Sequence, residues 1–152
     1  MPFFRIGSPG FWGRIPQRLD AIARSGEDVG MGVSFFVLGD ESDDNAPVAV
    51  ILRLDPHCVV VRHSHPCERF EVVVSGTIEA EGETFGPGDV MIARAGEAYG
   101  PNVAGPEGAV TVEVFSTLAG TQELTYETSD GPVTVNLAAG GRRPETAIGL
   151  GA

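Results

Sequence analysis

The sequence predicts an all-β chain folded as a sandwich or barrel. Two observations carry this reading: apolar runs are short, and turn residues separate nearly all of them. Twenty-one Gly and eleven Pro among 152 residues supply those turn signals, which is the punctuation of an antiparallel all-β domain. With 42% apolar residues, the chain can bury one real core, and its length suits one domain better than two.

Taken in order, residues 1–30 read as an arm with one short helix. Phe3, Phe4, Phe11 and Trp12 make its start aromatic, suited to covering part of the core or a dimer partner. Ile15, Leu19 and Ile22 recur at helical spacing, so Pro16 to Arg24 is predicted helical, with Ser25-Gly26 ending it. The barrel is predicted over 31–137, with strands at Gly32–Leu38, Val48–Leu54, Val59–His65, Phe70–Val74, Thr77–Ala80, Val90–Ala93, Val110–Ser116, Glu123–Tyr126 and Val133–Leu137. The acidic run Asp40 to Asn45 reads as a solvated loop, and Asp55-Pro56-His57, Ser75-Gly76, Glu81-Gly82 and Gly86-Pro87-Gly88-Asp89 as tight turns. Residues 138–152 read as an irregular or disordered tail.

Charge and cysteine usage narrow the function classes. A net charge of −11 and a pI near 4.5 argue against nucleic acid, which requires clustered cations. No stretch approaches the roughly 20 apolar residues of a membrane helix, and the N-terminus has no export pattern, so the expectation is cytoplasmic with no membrane partner. Cys58 and Cys67 form no CxxC pair, which fits a reduced compartment. All ten cationic residues are Arg, and Arg53, Arg62, Arg69 and Arg94 lie in strand-like segments where a guanidinium calls for an anionic partner.

The most informative run is His63-Ser64-His65-Pro66-Cys67-Glu68-Arg69-Phe70-Glu71. On an extended strand His63 and His65 share a face with Val59 and Val61, while Arg62 and Ser64 point away. Paired imidazoles aimed into an enclosed space would supply half of a metal site. After the Pro66-Cys67 corner, Arg69, Glu71 and Val73 share one face, expected to look toward the histidines, and Arg69 and Glu71 can pair there. Phe70, Val72 and Val74 share the other, expected to lie between packed sheets or under a neighbouring element.

These residues resemble the cupin superfamily, small double-sheet barrels of the jelly-roll type, also called double-stranded β-helices. Of its first motif, G-x5-H-x-H-x(3,4)-E-x6-G, the chain keeps His63, His65 and Gly76, with His57 at the leading Gly and Arg69 at the Glu. Of its second, G-x5-P-x-G-x2-H-x3-N, the Gly86-Pro87-Gly88-Asp89 turn and Gly96 are present, with Arg94 at the Pro, Tyr99 at the His and Val103 at the Asn. The resemblance spans roughly residues 35–116. It implies a small-molecule enzyme whose site is the barrel interior; a homodimer is expected separately, because edge strands and the aromatic arm need cover.

Three readings of the site follow. In the first, a divalent metal (Fe, Mn, Ni or Zn) is held by His63, His65 and a replacement carboxylate, Glu71 or Glu68, with Tyr99 or water completing the shell. It would serve oxygenation, isomerisation or lyase chemistry on a small organic substrate. In the second, the pocket is metal-free: Arg69 fixes a ligand carboxylate or enolate, His63 or His65 acts as acid or base, and Tyr99 donates a hydrogen bond. That pocket belongs either to an isomerase or cyclase or to a non-catalytic sensor. In the third, the histidines are structural. Serine-hydrolase chemistry at Ser64 lacks the G-x-S-x-G context. Cys67 reads as an inert thiol and His57 as a surface residue.

Overall fold

The computed structural model describes residues 1–151. A 3-10 turn, Gln17–Leu19, leads into one helix, α1 (Asp20–Glu27). Leu19 of the turn and Ile22 and Ala23 of α1 are buried, whereas Ile15, the first residue of the predicted spacing, precedes both elements and is only half-buried. The helix runs through Ser25-Gly26 and stops before Gly30, which supplies the left-handed φ of 82°.

Ten strands follow: β1 (Met31–Val37), β2 (Val48–Leu54), β3 (Val59–Val60), β4 (His63–Ser64), β5 (Arg69–Ala80), β6 (Glu83–Phe85), β7 (Val90–Ala93), β8 (Asn102–Phe115), β9 (Glu123–Thr128) and β10 (Gly131–Asn136). The larger, seven-stranded sheet runs β1-β2-β8-β5-β6, with β3 beside β8 and β7 beside β5. A smaller sheet runs β10-β9-β4. Every pairing is antiparallel.

Three strand boundaries depart from the sequence reading. The predicted strand Val59–His65 divides: Val59–Val60 pairs with β8, and His63–Ser64 crosses to pair with β9. Strict alternation therefore fails there, and Ser64, expected to face out, is buried with its two neighbours. The Ser75-Gly76 turn is instead a bulge within the continuous β5, with register shifts at Val73/Ser75 and Gly76/Ile78. Gly76 has φ 70°, and a Cβ there would overlap the Gly108 carbonyl oxygen, so only glycine fits. The last strand before the tail region of the large sheet, β8, is longer than the predicted Val110–Ser116 because its first half pairs with β3 and the end of β5.

The inner face of the large sheet carries Val33, Phe35, Val50, Leu52, Val73 and Phe115, which join Leu124 and Tyr126 of the small sheet in one core. Its outer face is unusually apolar. Phe70, Val74, Val90 and Ile92 are 39, 52, 45 and 71% exposed. The set Phe70, Val72, Val74, expected beneath another element, therefore faces outward, and the charged set takes the interior. The aromatic arm packs on the outside of β1, with Phe4 edge-on to Phe36 at 5.1 Å and Arg14 over Phe4 at 4.4 Å.

The cationic strand residues find different partners. Arg62 pairs with Glu127 at 2.6 Å, and Arg53 lies over Trp12 at 4.9 Å. Residues 137–151 contain no helix or strand, yet they fold back: Arg62 N donates to the Ile148 carbonyl, and Ile148 N to that of Glu127. Among the described residues, no helix is long and apolar enough to cross a membrane.

Candidate functional site

Strand register brings the charged residues together. On the inner face Glu71 of β5 stands directly opposite Glu113 of β8, and Arg69 lies one step along, opposite Phe115. Like charges facing across strands repel, and these are buried. Arg69 resolves the conflict by binding both: its Nη2 donates to Glu71 Oε2, and its Nε donates to Glu113 Oε1 at 2.7 Å. The ring of Tyr99 covers the guanidinium, 4.1 Å from its carbon. Burial works to lower the Arg69 pKa, but Tyr99, Glu113 and Glu71 together raise it, so the residue stays cationic. Burial raises the Glu71 carboxyl above its ordinary value, and Glu113 adds to this, while Arg69 opposes it.

The histidines occupy the adjoining wall. His63 is anchored by backbone exchange with Tyr99, whose N donates to the His63 carbonyl at 2.9 Å while His63 N donates to the Tyr99 carbonyl at 3.1 Å. His63 Nδ1 lies 2.7 Å from the Val61 carbonyl, and His65 Nδ1 lies 2.8 Å from that of Gly120. A carbonyl only accepts, so each Nδ1 carries the proton and each neutral ring presents a lone pair at Nε2. Burial, then His65, then Arg69 pull the His63 pKa down to about 3. Burial and Arg69 pull that of His65 to about 4, against the Gly120 contact. Both imidazoles are therefore neutral at pH 7.

Tyr99 separates the roles of the two rings. Its hydroxyl lies 2.9 Å from His63 Nε2. Burial raises the phenol pKa well above its usual value, so the hydroxyl keeps its proton and donates it to His63. Among the described residues, His65 Nε2 has no hydrogen-bond partner.

A cavity of about 150 Å³ opens onto these groups. His63, His65, Tyr99 and Glu113 line it; most of the remaining wall is apolar, including Val33, Val50, Leu124 and Tyr126, with Ile22 from α1. Arg69 and Glu71 do not line it. Sequence reasoning missed two contributors. Glu113 lay in a predicted strand with nothing to mark its facing, and Arg143 reaches the cavity from the irregular tail.

No protein-family model and no curated protein matches the chain. Solved structures do. An acetylacetone dioxygenase from Acinetobacter johnsonii superposes with a TM-score of 0.59 at 13% identity, covering 92% of this chain and 88% of that one. An RmlC-like cupin from Shewanella frigidimarina gives 0.50 at 17% identity, over 76% and 90%. A chain from the Rhodobacter sphaeroides complex of SigE with the anti-sigma ChrR gives 0.53 at 19% identity, over 73% of this chain; the match spans half of that longer chain. The fold is that of the cupins. The predicted double-stranded β-helix with one short N-terminal helix is thus the observed architecture.

The cupin resemblance implies a divalent metal, and the side chains present do not fit one. Of the expected ligands His63, His65 and Glu71, the carboxylate is closed on Arg69, and the His63 lone pair is occupied by Tyr99. Glu68, the other candidate carboxylate, is exposed beside Ser116. Among the described residues, no three His, Cys, Asp or Glu side chains are grouped to hold an ion. The expectation that Arg69 holds a ligand carboxylate meets a similar obstacle, because two glutamates already offset its charge and it does not line the cavity. His57 is exposed in its turn, with φ 62°, and Cys67 is buried.

Proposed function

We propose that this chain is a metal-free cupin whose barrel cavity binds a small, largely apolar molecule through a hydrogen bond to His65. The supporting observation is the closed Arg69–Glu71–Glu113 cluster, which ties both inward carboxylates near the histidines to a guanidinium instead of leaving them to a metal. With Tyr99 committed to His63, the free acceptor at the inner end of the cavity is His65 Nε2, and a ligand hydroxyl or N–H satisfies it.

Binding rather than proton transfer is the favoured role. A general base works best with a pKa near the working pH, and His65, at about 4, lies well below neutrality. The exposed apolar outer face of the large sheet supports a second part of the proposal: two copies associate through Phe70 and Ile92, withdrawing that surface from water.

Phenol is a suitable probe, since it combines an apolar ring with one donor. Titration followed by NMR is expected to give saturable shifts at His65 and Tyr126, unchanged by EDTA and weakened in His65→Ala. Binding that disappears on chelation and returns with added metal would contradict the proposal.

A further inference from the structure

We infer that the natural ligand of this cavity is a small monoanion with a compact apolar body, its anionic group held by Arg143 and its far end directed at His65. This rests on the cavity reading above and adds the chemistry of the ligand.

Among the described residues, Arg143 is the only cation lining the cavity. It is half-buried, and among the described residues it makes no ion pair and no side-chain hydrogen bond. It shares the cavity lining with Tyr126 and Leu137. A guanidinium in that setting has a fork of donors matched to a carboxylate and nothing to receive them.

The inner end excludes the opposite orientation. Glu113 lines it, Arg69 stands outside the lining and is paired with two carboxylates, and the Tyr99 proton is directed at His63. An anion placed there would face the Glu113 carboxylate, with no cation in that part of the lining. A hydroxyl or amine hydrogen, in contrast, meets the His65 lone pair. The cavity thus has an acceptor on a buried residue, His65, and a cation on a half-buried one, Arg143. Between them is an apolar volume of about 150 Å³, and a cavity of roughly that size accommodates benzene. A ring or branched chain of about six to ten non-hydrogen atoms suits it.

The test compares 4-hydroxybenzoate with its neutral counterpart 4-hydroxybenzyl alcohol by calorimetry at pH 7, on the parent chain and on Arg143→Gln. Arg143 lies in an irregular segment, and an unchanged melting temperature verifies that the variant is folded. The parent is expected to prefer the benzoate by about tenfold or more, as for other charge-assisted contacts. Arg143→Gln should lose that preference while binding the alcohol as before. Val50→Phe, which fills the cavity, should abolish both. Equal affinity for the two probes in the parent, or a preference that survives in Arg143→Gln, overturns the anion inference and leaves the cavity reading standing. Failure of both probes to bind the parent at millimolar concentration overturns the cavity reading itself.

Discussion

Replacing Arg69 by Met exposes the energetics of the interior most sharply. The change keeps much of the side-chain volume but leaves Glu71 and Glu113 facing each other, with side chains only 2% and 11% exposed. Breaking a buried ion pair by removing one partner costs about 3–5 kcal/mol, because the remaining charge has lost both water and counter-ion. For a chain of 152 residues, the unfolding entropy near the midpoint is about 0.3 kcal/mol/K, so the melting temperature should fall by about 9–16 °C at pH 7. Urea denaturation and scanning calorimetry measure this directly. The sign of the pH dependence is also set. Without Arg69 the folded Glu71 carboxyl is raised further above its unfolded value, so protonation favours the folded state. The deficit should shrink as pH falls toward the ordinary carboxylate range near ~4.3. Arg69→Met/Glu71→Gln/Glu113→Gln removes all three charges and should recover the parent stability to within about 1 kcal/mol. A loss below about 1 kcal/mol in the single variant, or an equal loss in the triple variant, would refute the reasoning.

Three further outcomes follow from the same structure. His63 and His65 have folded pKa values of about 3 and 4, below the ordinary imidazole value of 6.5; their contribution is complete above 6.5 and is lost as pH falls toward those values. Each should add up to about 1.4 kcal/mol per pH unit to acid destabilisation in that window, and nitrogen-15 NMR at pH 6 should find both rings neutral with the proton on Nδ1; a doubly protonated ring there contradicts this. Gly76→Ala should cost several kcal/mol, about 3 or more, since it combines a positive φ with overlap on the Gly108 carbonyl; a chevron or urea midpoint near that of the parent would be the contrary result. Ile92→Glu should convert a dimer to a monomer in sedimentation velocity without lowering helix or strand content, and a parent that sediments as a monomer at all concentrations removes the dimer from the account.

The fold was legible because its signals are local. Turn glycines, short apolar runs and the spaced histidines each depend on a few neighbouring residues, and His63 and His65 lie on the cavity wall, although strict alternation fails at Ser64 between them. The pairing of Arg69 with Glu71 was readable for the same reason, since they are two apart on one strand. Glu113 was not, because its position opposite Glu71 arises from register between strands about forty residues apart in sequence. Its arrival determines the chemistry: with two carboxylates on Arg69, neither the guanidinium nor Glu71 remains free for a ligand. The division of Val59–His65 between two sheets was equally hidden, since no turn residue marks the crossing. Arg143 escaped notice because a cation in a Gly-rich tail has no periodicity to reveal which way it faces.

Elemental analysis of untagged protein, compared with a His63→Ala/His65→Ala double variant, tests the metal-free cavity most directly. After growth with supplemented Mn, Fe, Ni and Zn, this account predicts less than a tenth of an equivalent (~0.1) of any of them in the parent and no difference from the variant, as expected for two neutral imidazoles with one free lone pair between them. One equivalent of metal in the parent, absent from the double variant, would contradict it.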